Sequence, residues 1–292
     1  MDSPSVLIGI ATRDRADELV KAIESAQAQS FRPARIAVVD DASRDGTSNL
    51  PSRFPTLTWQ RCDRPQGHIR LRNRLMLTAA EDYFACLDDD ARFVVGDELA
   101  AAVAYLEGHP TVAAAAFDIL SPDRPAPRPR GTARAVASFI GCGHLLRLSA
   151  VRRIGGYAEA PGLYGSEEKD LCLRLIDAGY TIAKLDGLHV WHDKTARARD
   201  LARQHRSGVC NDLVFETRRC PAALLLPVLA WKTARHLTFS LRRRLLRACL
   251  CGMAQFAGSF GVAWRGRRAV SFSAYKHYVV LSRAATATDA SS

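Results

Sequence analysis

The chain has 292 residues, of which 48% are hydrophobic and 24% charged, and a formal net charge of +11. That apolar content can bury a large core, in one domain or two smaller ones, and excludes a disordered or low-complexity chain. Eight cysteines occur with no CxxC pair and no zinc spacing. Reduced core thiols in a cytosolic protein are therefore expected, rather than a disulfide scaffold or a structural zinc.

Charge is unevenly spread. Residues 1–196 carry 24 Lys and Arg against 26 Asp and Glu, whereas residues 197–292 carry 17 against 4. Two regions are expected, with an α/β domain over 1–196 and a basic helical region over 197–292. A basic segment of this kind suits an anionic surface, either membrane lipid or nucleic acid.

In chain order, Val6 to Ile10 reads as a buried strand. It is too short for a secretory h-region and follows no basic segment, so no signal peptide is expected. Leu19, Ala22, Ile23 and Ala26 recur at helical spacing. Ile36 to Val39 predicts a second strand, Thr58-Trp59 a weaker third, and Ile69 to Ala80 a helix with Leu71, Leu75 and Ala79 on one side. Tyr83 to Leu87 predicts a further strand, and Leu99, Val103 and Leu106 another helix. This alternation indicates a parallel α/β sheet, with ligands bound beyond the carboxyl ends of its strands. Residues 121–135, rich in Pro and Arg, predict a mobile loop, and Gly155-Gly156-Tyr157 a turn. Gly141-Cys142-Gly143 lies in an apolar stretch where the backbone is expected to pass close to ligand. A helix follows from Ser166, with Leu171, Leu175 and Ile176 inward and Gly179 as its stop. Tyr180 to Leu185 and Leu188 to Trp191 read as two short strands.

From Leu201 onward the chain is expected to be helical. Residues 245–264 have spanning length but contain Arg247, Gln255 and three glycines. Leu246, Leu250, Met253, Phe256, Ala257, Phe260 and Trp264 share one helical face, opposite Arg243, Arg247 and Ser259. That pattern predicts an interfacial helix on an anionic membrane surface.

The polar residues after the strands carry the chemistry. Thr12-Arg13-Asp14, Asp40-Asp41 and Asp88-Asp89-Asp90 each follow an apolar run, which places them at one sheet edge. Three adjacent carboxylates repel one another unless a cation neutralises them. Oxygen donors suit Mg²⁺ or Mn²⁺, which keep positions open for phosphate oxygens.

With these residues assembled, the chain resembles the family 2 glycosyltransferases of GT-A fold over about residues 5–195. The resemblance rests on four ordered motifs: VLIGIATRDR, VVDDASRDGT, LDDDA and GSEEKDLCLRLIDAGY. It implies a GT-A (Rossmann-like) nucleotide-sugar-binding sheet and a metal-dependent, inverting transfer from a nucleotide-diphosphate sugar to an acceptor hydroxyl. By the same resemblance, Asp41 would contact the nucleotide base, and Thr12 and Asp14 would line that pocket. Arg72 would stand near the diphosphate and Asp89 at the ribose. Asp90 would ligate the metal, with Asp88 in support and His192 a further ligand. His189 is a competitor for that place, but strand alternation sets the two histidines on opposite faces. Glu168 aligns with the general base, beside Glu167. The family has Glu-Asp where this chain has Glu-Glu, so either could take the proton. The QxxRW motif of polymerising relatives is absent from the sequence, which favours addition of one sugar. A lipid-linked glycan or polysaccharide acceptor, and a cytoplasmic location on the inner face of a membrane, go with that reading.

Other classes fit less well. A phosphotransferase would place its nucleophilic aspartate after an early strand. A nucleotidyltransferase would need a Gly-rich loop in residues 9–17, where the sequence is GIATRDRAD. No nucleic-acid partner is expected, because the C-terminal charges interleave with large aliphatics and form no binding motif. An inactive sugar-nucleotide binder, or a transferase acting on a soluble small acceptor, remains the alternative.

Overall fold

The computed structural model describes residues 3–127, 129–194 and 200–290. The chain divides into two compact units, residues 1–156 with 178–195, and residues 157–177 with 196–292. The charge boundary expected at residue 196 falls within 195–199, outside the described residues.

The first unit is built on a nine-stranded mixed sheet. Its strands are β1 (Val6–Thr12), β2 (Ala34–Asp40), β3 (Thr58–Arg61), β4 (Tyr83–Asp88), β5 (Ala91–Phe93), β6 (Val112–Leu120), β7 (Ala133–Ala135), β8 (Gly143–Arg147) and β9 (Thr181–His192). The helices are α1 (Ala16–Gln27), α2 (Leu50–Arg53), α3 (His68–Thr78), α4 (Glu98–Gly108) and α5 (Leu148–Ile154). The order is β3-β2-β1-β4-β8-β6-β9-β5, with β7 paired to β9. The four strands β3, β2, β1 and β4 are parallel, as expected. Beyond them the expectation of an all-parallel sheet fails. β8 runs antiparallel to both β4 and β6, and β5 and β7 run antiparallel to β9. β8 returns beside β6 across a connection with no helix among its described residues, and β5 and β7 are three residues each, so periodic helix spacing did not announce them.

Apolar burial holds the elements in place. Leu19, Ala22, Ile23 and Ala26 of α1 are all buried, which is the stripe that the helical spacing predicted. Leu19→Ala would cost about 2–5 kcal/mol by the usual cavity argument. Leu99, Val103 and Leu106 of α4 are buried in the same way. Gly143 of β8 has a packing reason to lack a side chain: a Cβ there would lie 2.9 Å from Val190 Cγ2.

Three local expectations change. The two short strands expected over Tyr180 to Trp191 form one strand, because Gly187 (φ +81°) absorbs an irregularity where the β6–β9 register shifts. The Asp118 carboxylate accepts the Gly187 N–H at 2.9 Å and fixes that kink. Within 121–135, where a mobile loop was expected, two parts carry regular pairing. Ser121 and Arg124 form a bridge, and β7 takes up the edge of β9. Arg128 lies outside the described residues. Ile176 is only half-buried, whereas Cys172 and Leu173 are buried beside Leu171 and Leu175.

The second unit is helical: α6 (Glu167–Asp177), α7 (Leu201–Arg219), α8 (Ala222–Arg242), α9 (Leu246–Arg265) and α10 (Phe272–Ala290). α7 is its centre, with eleven buried residues. Asp170 of α6 accepts from Arg219 Nε at 2.6 Å and from Arg174 Nε at 2.6 Å. Lys232, His236 and Lys169 surround the buried Asp212 at 3.0, 3.0 and 3.5 Å. Buried charges are tolerated only when paired in this way. The apolar face expected for residues 245–264 is divided. Met253 and Phe256 pack beside Val209, Leu213 and Cys249, while Leu246, Leu250, Phe260 and Trp264 are exposed. Among the described residues, no helix is long and apolar enough to cross a membrane. None of the eight cysteines is in a disulfide, and seven are buried.

Candidate active site

Register explains why the acidic motifs meet. Thr12 is paired with Asp40 across β1 and β2, and Ala11 with Asp88 across β1 and β4. Parallel strands in this register end together, so their polar residues share one edge. Tyr83 to Leu87 are all buried, and the chain leaves that apolar strand directly into Asp88, Asp89 and Asp90.

The triplet is held by named donors. Asp89 accepts from Thr12 Oγ1 at 3.0 Å, from the Arg13 N–H at 3.4 Å and from Arg15 Nη1 at 2.8 Å. Arg15 Nη1 also stands 3.3 Å from Asp90 Oδ2. Arg72, buried on α3, pairs with Asp88 and donates to the Gly141 carbonyl at 3.3 Å. Burial pushes the Asp89 carboxyl up to about 6, against the pull of Arg15 and with the help of Asp90 and Asp88. Three carboxylates thus share two guanidiniums, with Arg15 bridging Asp89 and Asp90 and Arg72 paired with Asp88, and the surplus negative charge is what a cation would relieve. Behind them His144 is fully buried and stacked on Phe139 at 3.9 Å between ring centres. Burial and the Arg72 charge hold its imidazole well below the ordinary range.

Asp88, Asp90 and His192 place one donor atom each within 4.8 Å of one another. His192 closes β9, and Asp90 Oδ1 lies 3.2 Å from its Nε2. β5 is paired with this end of β9, with Ala91 opposite His192, which carries the imidazole to the triplet. Two carboxylates and one imidazole are a donor set for Mn²⁺, and the carboxylates alone would serve Mg²⁺. His189 is in register with Asp118 instead and is not in the cluster.

The remaining residues line the same edge in different ways. Asp41 is buried and accepts the N–H groups of Gln66 and Gly67 at 2.6 and 3.0 Å, so it shapes the loop that leads into α3. Asp14 is exposed, in the left-handed region at φ 55°, a conformation that Asp tolerates. It accepts the Arg44 N–H at 2.7 Å and ties the loop after β1 to the loop after β2. Two arginines that sequence pattern does not single out, Arg15 and Arg61, also reach carboxylates at this edge. Arg61 Nη1 donates to Asp40 Oδ2 at 2.8 Å.

Glu167 and Glu168 belong to the second unit and open α6, with Glu167 buried and Glu168 half-buried. Ser166 before them has φ 72°. A small cleft lined by Ser166, Glu167, Asp170, Asn211, Phe215 and Arg218 adjoins this turn. Asn211 fixes the preceding loop: it accepts the Gly162 N–H at 2.8 Å and donates to the carbonyls of Gly162 and Tyr164.

Comparison with known proteins agrees with this geometry. Residues 7–156 match glycosyl transferase family 2, and residues 129–198 match the N-terminal domain of galactosyltransferase. The chain belongs to glycosyl transferase family 2, and its first unit has the GT-A fold. It is 36% identical over 89 residues to the succinoglycan biosynthesis protein ExoO of Rhizobium meliloti, covering 30% of this chain and 26% of that protein. It is 28% identical over 192 residues to EpsE of Bacillus subtilis, covering 60% of this chain and 67% of EpsE. The chain thus spans about a quarter and about two thirds of these relatives. Among solved structures, the mannosyltransferase PcManGT from Pyrobaculum calidifontis, in complex with GDP-Man and Mn²⁺, aligns with a TM-score of 0.59 at 18% identity. That alignment covers 97% of this chain and 80% of PcManGT. S. aureus TarS 1-349 with UDP-GlcNAc aligns with a TM-score of 0.64 at 15% identity, covering 95% and 84%. At these identities the likeness is one of fold.

Proposed function

We propose that this chain is a metal-dependent, inverting glycosyltransferase that moves one sugar from a nucleotide-diphosphate donor to an acceptor hydroxyl. The observation that carries the reading is the convergence of Asp88, Asp90 and His192 at the carboxyl edge of the sheet. Support comes from the family match and from fold relatives solved with GDP-Man and Mn²⁺ or with UDP-GlcNAc.

In this reading the base and ribose lie over Asp41, Thr12, Asp14 and Asp89. Asp41 shapes the loop against which a base would rest, and Asp89, fixed by Thr12 and Arg15, presents a carboxylate to ribose hydroxyls. Asp88, Asp90 and His192 would hold Mn²⁺ or Mg²⁺, whose charge would offset that gathering on the leaving diphosphate. Arg72 keeps Asp88 oriented and adds a positive charge beside the diphosphate. Glu168 removes the acceptor proton as general base, and Glu167 supports it. One base and one direct displacement invert the anomeric centre. The acceptor we favour is a lipid-linked glycan or polysaccharide, which the relative named for succinoglycan biosynthesis supports, and we place it at the inner face of a membrane on the basic charge of residues 197–292.

The test is a panel of sugar nucleotides, each with Mn²⁺ or Mg²⁺, scored by thermal stabilisation and by slow donor hydrolysis. A donor present at a hundred times its Kd should stabilise the fold by about 2.7 kcal/mol. Absence of stabilisation and of hydrolysis for every donor would refute the reading.

A further inference from the structure

α8 is a 21-residue apolar helix of which only Leu225 and Ser240 are buried. Leu226 is 78% exposed, Trp231 57% and Leu241 63%, and Phe239 is exposed as well. Leaving such residues in water costs free energy that a covering surface would recover. Arginines accompany the aromatics: Arg235 lies 4.9 Å from the centre of the Trp231 ring and Arg243 5.9 Å from that of Phe239. α9 adds exposed Leu250, Val262 and Trp264.

Charge decides what covers this face. Residues 217–288 hold 13 Lys and Arg and not one Asp or Glu. A second copy of the chain would set this acid-free surface against another like it, and like charges would repel. A nucleic acid would match the charge but would leave Leu226, Trp231 and Leu241 without a partner. An anionic bilayer satisfies both features. Aliphatic and aromatic side chains enter the acyl boundary, while arginines remain at the phosphates.

We propose that α8 is the principal bilayer-docking helix, lying in the plane of an anionic membrane with Leu226, Trp231, Phe239 and Leu241 inserted and Arg242, Arg243 and Arg244 on lipid phosphates. The inference rests on the membrane part of the functional reading and adds the surface that makes the contact. It shifts the emphasis from the helix that sequence periodicity singled out to the one before it.

The experiment sediments the full chain with vesicles of phosphatidylcholine alone and of phosphatidylcholine with phosphatidylglycerol, at low and high salt, and follows tryptophan emission. Binding should require the anionic lipid, weaken with salt and shift the emission to the blue. Leu226→Ser with Trp231→Ser should lower partitioning by about tenfold or more. Each of Arg242→Gln, Arg243→Gln and Arg244→Gln should cost about fivefold. All these side chains are exposed, so thermal stabilisation by a sugar nucleotide should stay at the wild-type level and report an intact fold. If the wild type binds and the variants bind equally well, α8 is not the docking helix, although the membrane reading stands. If the wild type binds neither vesicle, or associates with itself as concentration rises, both the docking and the membrane reading fall. Donor stabilisation still judges the transferase reading separately.

Discussion

Arg15 Nη1 lies 2.8 Å from Asp89 Oδ1 and 3.3 Å from Asp90 Oδ2, so one guanidinium bridges two of three consecutive carboxylates. The side chain is four-fifths buried, which makes the bridge stronger than a surface pair. Removing it leaves Asp89 and Asp90 to repel each other with little water to screen them. Arg15→Gln should therefore cost about 1.5–3 kcal/mol of stability, read from a denaturant titration. Donor turnover should fall at least tenfold, because Asp89 loses the contact that aims it. An unchanged midpoint and rate would show that the bridge is idle.

The metal cluster gives a second expectation. Asp90 lies at its centre, within reach of both Arg15 and His192. Asp90→Ala, or excess chelator, should abolish transfer while the circular dichroism spectrum is retained. His192→Ala removes one of the three proposed ligands and should weaken Mn²⁺ binding, measured by titration calorimetry. Full transfer in excess chelator would rule out a metal-dependent mechanism.

The third concerns proton removal. Glu168→Gln should cut turnover by orders of magnitude with donor KM nearly unchanged, since a group that acts on the acceptor proton contributes at the transition state. Glu167 is the more buried of the two. Should Glu167→Gln prove the more damaging change, the roles are exchanged.

The parts of this architecture that were legible in the sequence are those set by local periodicity. Leu19, Ala22, Ile23 and Ala26 announced α1, and the apolar run into Asp88 announced β4 with its charged end. The parallel half of the sheet followed from that alternation. The antiparallel half did not, because Val112–Leu120 is alanine-rich and carries little strand signal, and Ala133–Ala135 hides in a Pro/Arg-rich stretch. Of the site, the carboxylates were readable because they follow strands. Arg15 and Arg61 were not, since their role comes from which strands lie side by side. The exposure of α8 was equally invisible: periodicity reports an apolar helix but not whether another element covers it.

The last expectation concerns the helical unit, where Asp212 is the electrostatic hub. Burial alone would raise its carboxyl. The hydrogen bond from His236 and the charges of Lys169 and Lys232 outweigh that effect and hold it far below the usual carboxylate range. A carboxyl depressed on folding contributes stability that is present above its unfolded value of about 3.9 and is lost as pH falls below it. The helical unit should therefore hold its stability from neutrality down to about pH 5 and lose it progressively below about pH 4. Asp212→Asn keeps the shape and removes the charge, leaving Lys232 and His236 facing an amide and Lys169 without its counter-ion. Breaking a buried pair on one side typically costs about 3–5 kcal/mol. The variant should also lose most of the acid-dependent slope, because the titrating group is gone. Denaturant midpoints of both proteins, measured from pH 7 down to pH 3, test the two statements together. A variant as stable as the wild type at neutral pH, with the same acid slope, would show that the network around Asp212 contributes nothing net to the fold.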